Sequence, residues 1–266
     1  MNTQSEVTPL AHAAGRHRPH TPFRLGCTSF LLPEDILPNI EYVAGFVDDV
    51  EILIFESDAI SPLPTQEVVA EMERIRATHN MSYSVHLPLD AYLADPDPTI
   101  RETSVQKCLR VRDRLQSAVT PRYVIHTEPW KAHPDVQSTM QALQATIQGG
   151  FTPASLCIEY NNPFFHDIAT PARELGITFC MDVGHLLLHG ENPIHFLERY
   201  GDNTHIIHLH AVANGRDHHD LSHLEPTLLK AVLDFAGSSA NDPVVSIEVF
   251  SKDRFLTSLA ILEKYL

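Results

Sequence analysis

Eight short apolar runs rich in β-formers alternate with helix-periodic segments over about 245 residues, with no break that would open a second domain. This pattern predicts a single α/β domain folded as a closed (β/α)8 TIM barrel. Strands that alternate with helices pair in parallel through right-handed crossovers, and eight such units close a barrel. The competing open doubly wound sheet would carry a glycine-rich phosphate loop after its first strand, and "GCTSFLLPED" holds no GxGxxG.

Each element has its own signal. Residues 1–21 show no apolar periodicity and no apolar segment of the secretory-signal kind, so they are expected to form a disordered N-terminal tail outside a domain spanning 22–266. "FRLGCTSF" (23–30) is the first strand, and "DVEILIF" (49–55), dense in β-branched residues, is the second. In "PTQEVVAEMERIRATH", Val68, Val69, Met72 and Ile75 mark one face of a helix. "MSYSVH" (81–86) is the third strand, and "VQKCLRVRDRL" after it aligns Val105, Cys108, Leu109, Val111 and Leu115 at helical spacing. "RYVIH" (122–126), "SLCIEY" (155–160), "ITFCMD" (177–182), "THIIHLHAV" (204–212) and "VVSIEVF" (244–250) are strands four to eight, and "RFLTSLAILEKYL" is the closing helix.

Composition narrows the function. Hydrophobic residues make up 43% of the chain, enough for a sizeable core, and no stretch reaches the roughly 18 apolar residues of a membrane span. Cys27, Cys108, Cys157 and Cys180 lack CxxC spacing and suit small core residues of a reduced, cytoplasmic protein. Nineteen basic against thirty-four acidic residues give a formal charge of −15, the wrong sign for gripping a nucleic-acid backbone. The expected partner is a small molecule, with no nucleic acid and no membrane; nothing in the sequence sets the oligomeric state.

Barrels of this class place their functional groups at the C-terminal strand ends. Strand three ends in His86, four in His126, five in Glu159, six in Asp182 with His185 just beyond, seven in His208, and eight in Glu248. The segment "GRDHHD" (215–220) adds Asp217 with His218 or His219. Converging carboxylates and imidazoles with few cations among them would repel one another unless a cation joined them. One ion takes about four to six ligands, so a site of two or three divalent ions is expected. Nitrogen and oxygen donors without thiolate suit Zn, Mn, Co or Fe. Gly184 is expected to allow a tight turn that returns His185 over the mouth. His210 faces the same way as His208 in an extended strand. Glu56 and Asp90 are either carboxylates that orient histidines or helix caps, and Arg216 is a solvated loop arginine or a phosphate contact. His79, His133, His166, His189, His195 and His223 fall in helices or loops and are expected to be solvated.

The ordered strand ends "VHLP", "IHTEP", "IEY", "DVGH", "HLH", "RDHHD" and "IEVF" resemble the xylose-isomerase-like barrel superfamily, which includes endonuclease IV and sugar isomerases and epimerases; the likeness runs from about Phe23 to the end. The isomerase branch implies one ion on Glu159, Asp182, His208 and Glu248. The endonuclease branch implies three, adding His86, His126, Asp217 and His218 or His219; Glu159 is then the bridge, His185 completes the shell, and Glu159, Asp182 and Glu248 are the catalytic carboxylates. Outside the ligands, "LGCTSFLLPEDILPNI", "FVDDVEILIFES", "YSVHLPLD" and "HLHAV" followed by "GRDHHDL" are similar to the cobamide-remodelling phosphodiesterases. That similarity implies metal-dependent hydrolysis of the nucleotide-loop phosphodiester of a B12-type cobamide, to cobinamide phosphate and an α-riboside. Tyr160 before Asn161, and Ala211 in place of glycine, depart from the pattern. A sugar isomerase or epimerase, a DNA phosphodiesterase acting on abasic sites, and a non-catalytic corrinoid binder are the alternatives. An apolar remainder of the substrate is expected to pack on loops such as "SFLLPEDILP".

Overall fold

The computed structural model describes residues 18–55, 63–119, 122–129 and 132–266. Eight parallel strands close a barrel: β1 (Arg24–Thr28), β2 (Asp49–Leu53), β3 (Ser82–His86), β4 (Tyr123–Ile125), β5 (Leu156–Glu159), β6 (Thr178–Asp182), β7 (Thr204–Leu209) and β10 (Val244–Ile247), the last pairing with both β1 and β7. Helices α1 (Ile36–Val43), α2 (Gln66–His79), α3 (Pro98–Leu115), α4 (Val136–Gln148), α5 (Phe165–Glu174), α6 (Val183–Leu188), α7 (Pro193–Tyr200), α8 (Pro226–Ser238) and α9 (Lys252–Leu262) fill the connections. The (β/α)8 expectation holds. Arg18, at the start of the described chain, already pairs with Asp48 at 2.8 Å, so contact with the barrel begins before Pro22.

Alternation along the strands sorts the side chains. Leu25, Val50, Ile52, Tyr83, Val85, Ile158, Phe179, Ile207 and Val245 belong to the main buried cluster shared with the helices. The intervening positions form a separate small cluster of Val124, Cys157, Cys180 and Ile206 inside the barrel. Above this apolar floor the same faces present His126, Glu159, Asp182 and His208, each one alternation further toward the C-terminal end. The four cysteines are free and buried, as expected of core residues.

Two departures concern the seventh strand and the turn after the sixth. The run 204–212 is not one strand: β7 stops at Leu209, and β8 (Ala211–Ala213) turns back through Asn214 and Gly215 onto antiparallel β9 (Arg216–His219). Asn214 and Gly215 have φ of 54° and 70°, the left-handed pair that an Asn-Gly hairpin turn requires. Gly184 sits inside α6 rather than in a tight turn. Its requirement is space: a Cβ there would lie 2.0 Å from Cε1 of His210. Among the described residues no helix is long and apolar enough to cross a membrane.

Candidate metal centre

The predicted ligands converge at the C-terminal mouth around the carboxylate of Glu159, which is almost wholly buried. Its Oε2 lies 3.2 Å from Nε2 of both His86 and His126, and its Oε1 lies 3.2 Å from Nδ1 of His185. The two oxygens therefore face different imidazoles. Asp182, at the end of β6, caps α6 by accepting the His185 amide proton at 2.6 Å, which holds the start of α6 against the mouth. Oδ2 of Asp182 is 3.3 Å from Nδ1 of His185 and 3.7 Å from Nδ1 of His208. Glu248, just past β10, places Oε2 3.3 Å from Nδ1 of His208. Asp217 on β9 spans two rings, with Oδ2 3.5 Å from Nε2 of His185 and 3.8 Å from Nε2 of His218. All nine expected ligands thus reach one mouth.

Of the adjacent pair His218 and His219, only His218 joins a candidate ligand group. His218 adopts a left-handed φ of 52°, an uncommon conformation for histidine, and its ring lies 4.4 Å from that of His210. His219 instead packs beside His223, and that pair lies apart from the candidate ligand groups. Arg254 donates to the His218 carbonyl at 2.9 Å and fastens the hairpin to α9.

Hydrogen bonds select which ring nitrogen is available. His86 donates from Nδ1 to the Leu87 carbonyl at 2.9 Å, so the neutral ring aims a bare Nε2 at Glu159. His208 is bound through Nε2 to Glu51 at 3.0 Å, leaving Nδ1 toward Glu248. Nδ1 of His208, Nδ1 of His185 and Oε2 of Glu248 are buried without a hydrogen-bond partner. Lone pairs about 3.3 Å apart repel unless a proton or a cation lies between them. His210 behaves differently. Its Nδ1 accepts the His218 amide proton at 2.9 Å, so Nε2 carries the hydrogen and donates to Asp182 at 3.0 Å. It orients Asp182 and has no lone pair for an ion.

The titration behaviour has the same origin. Burial disfavours the charged form of His185, but Asp182, Glu159 and Glu248 outweigh it and raise its pKa to about 10. Burial likewise opposes ionisation of Glu159, yet His126 and His208 hold it well below the usual carboxylate range. For Glu248, burial prevails and raises the pKa. The carboxylates thus form a field that captures protons on the imidazoles, and divalent ions fit the same field with the same donors. Burial pushes the Cys180 thiol up in the metal-free site, and Cys180 joins Glu159 and His208 in one of the groups that could hold an ion.

Glu51 is the residue that strand-end reasoning misses. It lies mid-strand on β2, fully buried, and its signal was a carboxylate inside the apolar run "DVEILIF". Of the other candidates, Asp90 pairs with Lys107 instead of orienting a histidine, Arg216 is exposed and lies outside the cavity lining, and Glu56 falls outside the described residues. His166 is not a freely solvated residue: it pairs with Glu191 at 2.8 Å, and Glu191 also accepts from the Tyr160 hydroxyl at 2.7 Å. Asn161 approaches Nδ1 of His126 at 3.3 Å, so the shift of one residue past Tyr160 still leaves an amide beside that ring.

Similarity to solved structures fits this architecture. The chain superposes on a D-tagatose 3-epimerase-like protein with a TM-score of 0.68 at 18% identity, covering 91% of this chain and 96% of that one. The fold the two share is a TIM barrel. Endonuclease IV from Thermus thermophilus matches with a TM-score of 0.68 at 16% identity, covering 91% and 98%. The 3-keto-D-glucoside 4-epimerase YcjR from E. coli matches at 0.61 and 14%, covering 91% and 98%. No protein-family model and no curated protein matches the sequence. At these identities the likeness carries the fold, and it embraces both epimerases and a nuclease.

Proposed function

We propose that the protein is a metal-dependent phosphodiesterase acting on a compact substrate with one phosphodiester, and that the nucleotide loop of a cobamide is the first such substrate to test. The observation that carries this reading is the placement of Glu159 between separate imidazole groups, His86 with His126 on one oxygen and His185 on the other. A single ion cannot use these together with Asp182, His208, Glu248, Asp217 and His218. Divalent ions held there would supply Lewis-acid polarisation of a phosphoryl group and lower the pKa of water toward neutrality.

The chain's own residues do the remaining work. Glu159 stays ionised and joins the two halves of the site. Glu51 and the Leu87 carbonyl fix the His208 and His86 rings so that, once each ring is neutral, the nitrogen facing the mouth is the one without a hydrogen. His210 locks Asp182 and, through its contact with the His218 amide, the β8–β9 hairpin. Burial raises the Glu248 pKa, and a divalent ion held by this carboxylate would keep it ionised as a ligand. Among the described residues lining the cavity of about 210 Å³ above the ligands none is Lys or Arg, so phosphate binding there would fall to the ions. The cobamide assignment itself rests on the sequence resemblance.

A second reading, sugar epimerisation, is favoured by the subset Glu159, Asp182, His208 and Glu248, which could hold one ion between two glutamates, and by the epimerases among the solved neighbours. One experiment separates the readings. The protein loaded with Mn²⁺, Co²⁺ or Zn²⁺ is incubated with a complete cobamide, with ketohexoses, and with abasic-site duplex DNA. Release of cobinamide phosphate with both other substrates untouched is expected; epimerised hexose or nicked DNA with an intact cobamide would overturn the proposal.

A further inference from the structure

The geometry points to a second, aromatic-binding compartment beside the metal centre, which selects phosphodiesters bearing one planar, uncharged or cationic ring system. This inference rests on the phosphodiesterase reading and names the class of substituent its substrate carries. The rings of His218, Phe250, Phe30 and Phe55 form a continuous series leading outward from the ligands. Phe250 lies 4.5 Å from the His218 ring, Phe30 lies 6.4 Å from Phe250, and Phe55 lies 5.0 Å from Phe30. Phe30 and Phe55 are about 40% exposed, and Leu89, also exposed, shares the same mouth. Apolar side chains gathered in the open around a functional cavity mark a binding surface.

The wall of Leu53, Ile54 and Phe55 is common to the metal cavity and to a neighbouring cavity of about 330 Å³, whose other side is formed by Phe30, Ile36 and Leu63. A group attached to a phosphate at the ions would therefore reach this cavity across Phe55. Phe30 meets Phe55 and Phe250 at 75° and 66°, so ring faces and edges are both available, as edge-to-face and offset aromatic packing require. A sugar would leave most of its hydroxyls unpaired against such walls. Glu34 and Asp35 border the second cavity, and among the described residues no Lys or Arg lines it, so a second phosphate is repelled and a neutral or cationic ring is accepted.

The test uses the Mn²⁺-loaded protein and keeps binding apart from turnover. Isothermal titration with 1-naphthyl phosphate and methyl phosphate measures the compartment, and hydrolysis of bis(p-nitrophenyl) phosphate measures the reaction. Wild type is expected to bind the naphthyl ester at least tenfold more tightly, in line with alanine-scan effects for base stacking on aromatic side chains. The Phe30→Ala/Phe55→Ala variant should lose that preference while keeping its metal content and its affinity for methyl phosphate. Phe30→Leu/Phe55→Leu, which keeps apolar volume for folding, should lose most of it. Equal binding of the two esters by wild type, or an unchanged preference in both variants, overturns the compartment. A preserved naphthyl preference without any diester hydrolysis supports the compartment and counts against the phosphodiesterase reading.

Discussion

Replacing Glu51 with glutamine tests whether the barrel interior prepares the metal centre. Glu51 is fully buried, with Oε2 3.0 Å from Nε2 of His208, while its Oε1 has no partner. As a carboxylate it can only accept, so it fixes the hydrogen of a neutral His208 on Nε2 and leaves Nδ1 bare toward Glu248 at 3.3 Å. An amide accepts more weakly and can turn its NH2 toward the ring, which allows the tautomer whose Nδ1 is blocked. Loss of such an orienting partner typically costs 10- to 100-fold in metal affinity, or about 1.4 to 2.7 kcal/mol. With metal in excess, that amount is subtracted from the stabilisation by binding. At roughly 2–4 °C per kcal/mol for a domain of this size, the metal-induced rise in Tm should shrink by roughly 3 to 10 °C. In chelator the carboxylates hold His208 protonated, so losing its Glu51 partner should itself lower Tm, and the orienting role is read from the further loss seen only with metal. Melting curves in EDTA and in Mn²⁺ or Zn²⁺, with titration calorimetry of the metal, provide the assay. Unchanged metal affinity, or an equal loss of Tm in EDTA and in metal, would refute the orienting role.

Other expectations arise from the same geometry. His126→Ala removes one of the two imidazoles on Oε2 of Glu159, and should lower bound metal by one ion per chain in elemental analysis and diester cleavage by at least about 100-fold; near-normal turnover would remove the case for a multinuclear site. Gly184→Ala drives a methyl into His210 and should destabilise the fold by about 1–3 kcal/mol in denaturant titration. The pKa of His185 is raised from 6.5 to about 10, so in EDTA its contribution to stability is fully present below about pH 6.5 and is lost as pH rises toward 10. Because metal must displace that proton, affinity should rise over the same interval, and the Tm difference between metal-loaded and chelated protein should widen with pH.

The convergence of the strand-end candidates was legible in the sequence because each ends an apolar run with a group that is costly to bury, and a parallel barrel gathers all such ends on one face. His86, Glu159, Asp182 and His208 follow from that rule alone. Glu51 does not, because a carboxylate within "DVEILIF" becomes meaningful only when register sets β2 against β1 and β3 and the fold brings it across the barrel to His208. The Asn214-Gly215 turn was a local signal outweighed by the long apolar run before it, although it decides that Asp217 and His218 return to the mouth while Arg216 does not.

His210 shows where local pattern stops and tertiary structure begins. Spacing of two residues in an extended chain correctly turns it the same way as His208, and residue type alone would make both of them ligands. Their roles diverge because of one partner each. A carboxylate contributed by β2 takes Nε2 of His208 and frees Nδ1, whereas a backbone amide contributed by β9 takes Nδ1 of His210 and leaves Nε2 to donate to Asp182. That amide belongs to His218, whose left-handed backbone exists only because the hairpin closes through Asn214 and Gly215 and is fastened by Arg254. The number of nitrogen donors the mouth could offer an ion is therefore set by contacts from 157 residues before His208 and eight residues after His210, beyond the reach of any single stretch of sequence.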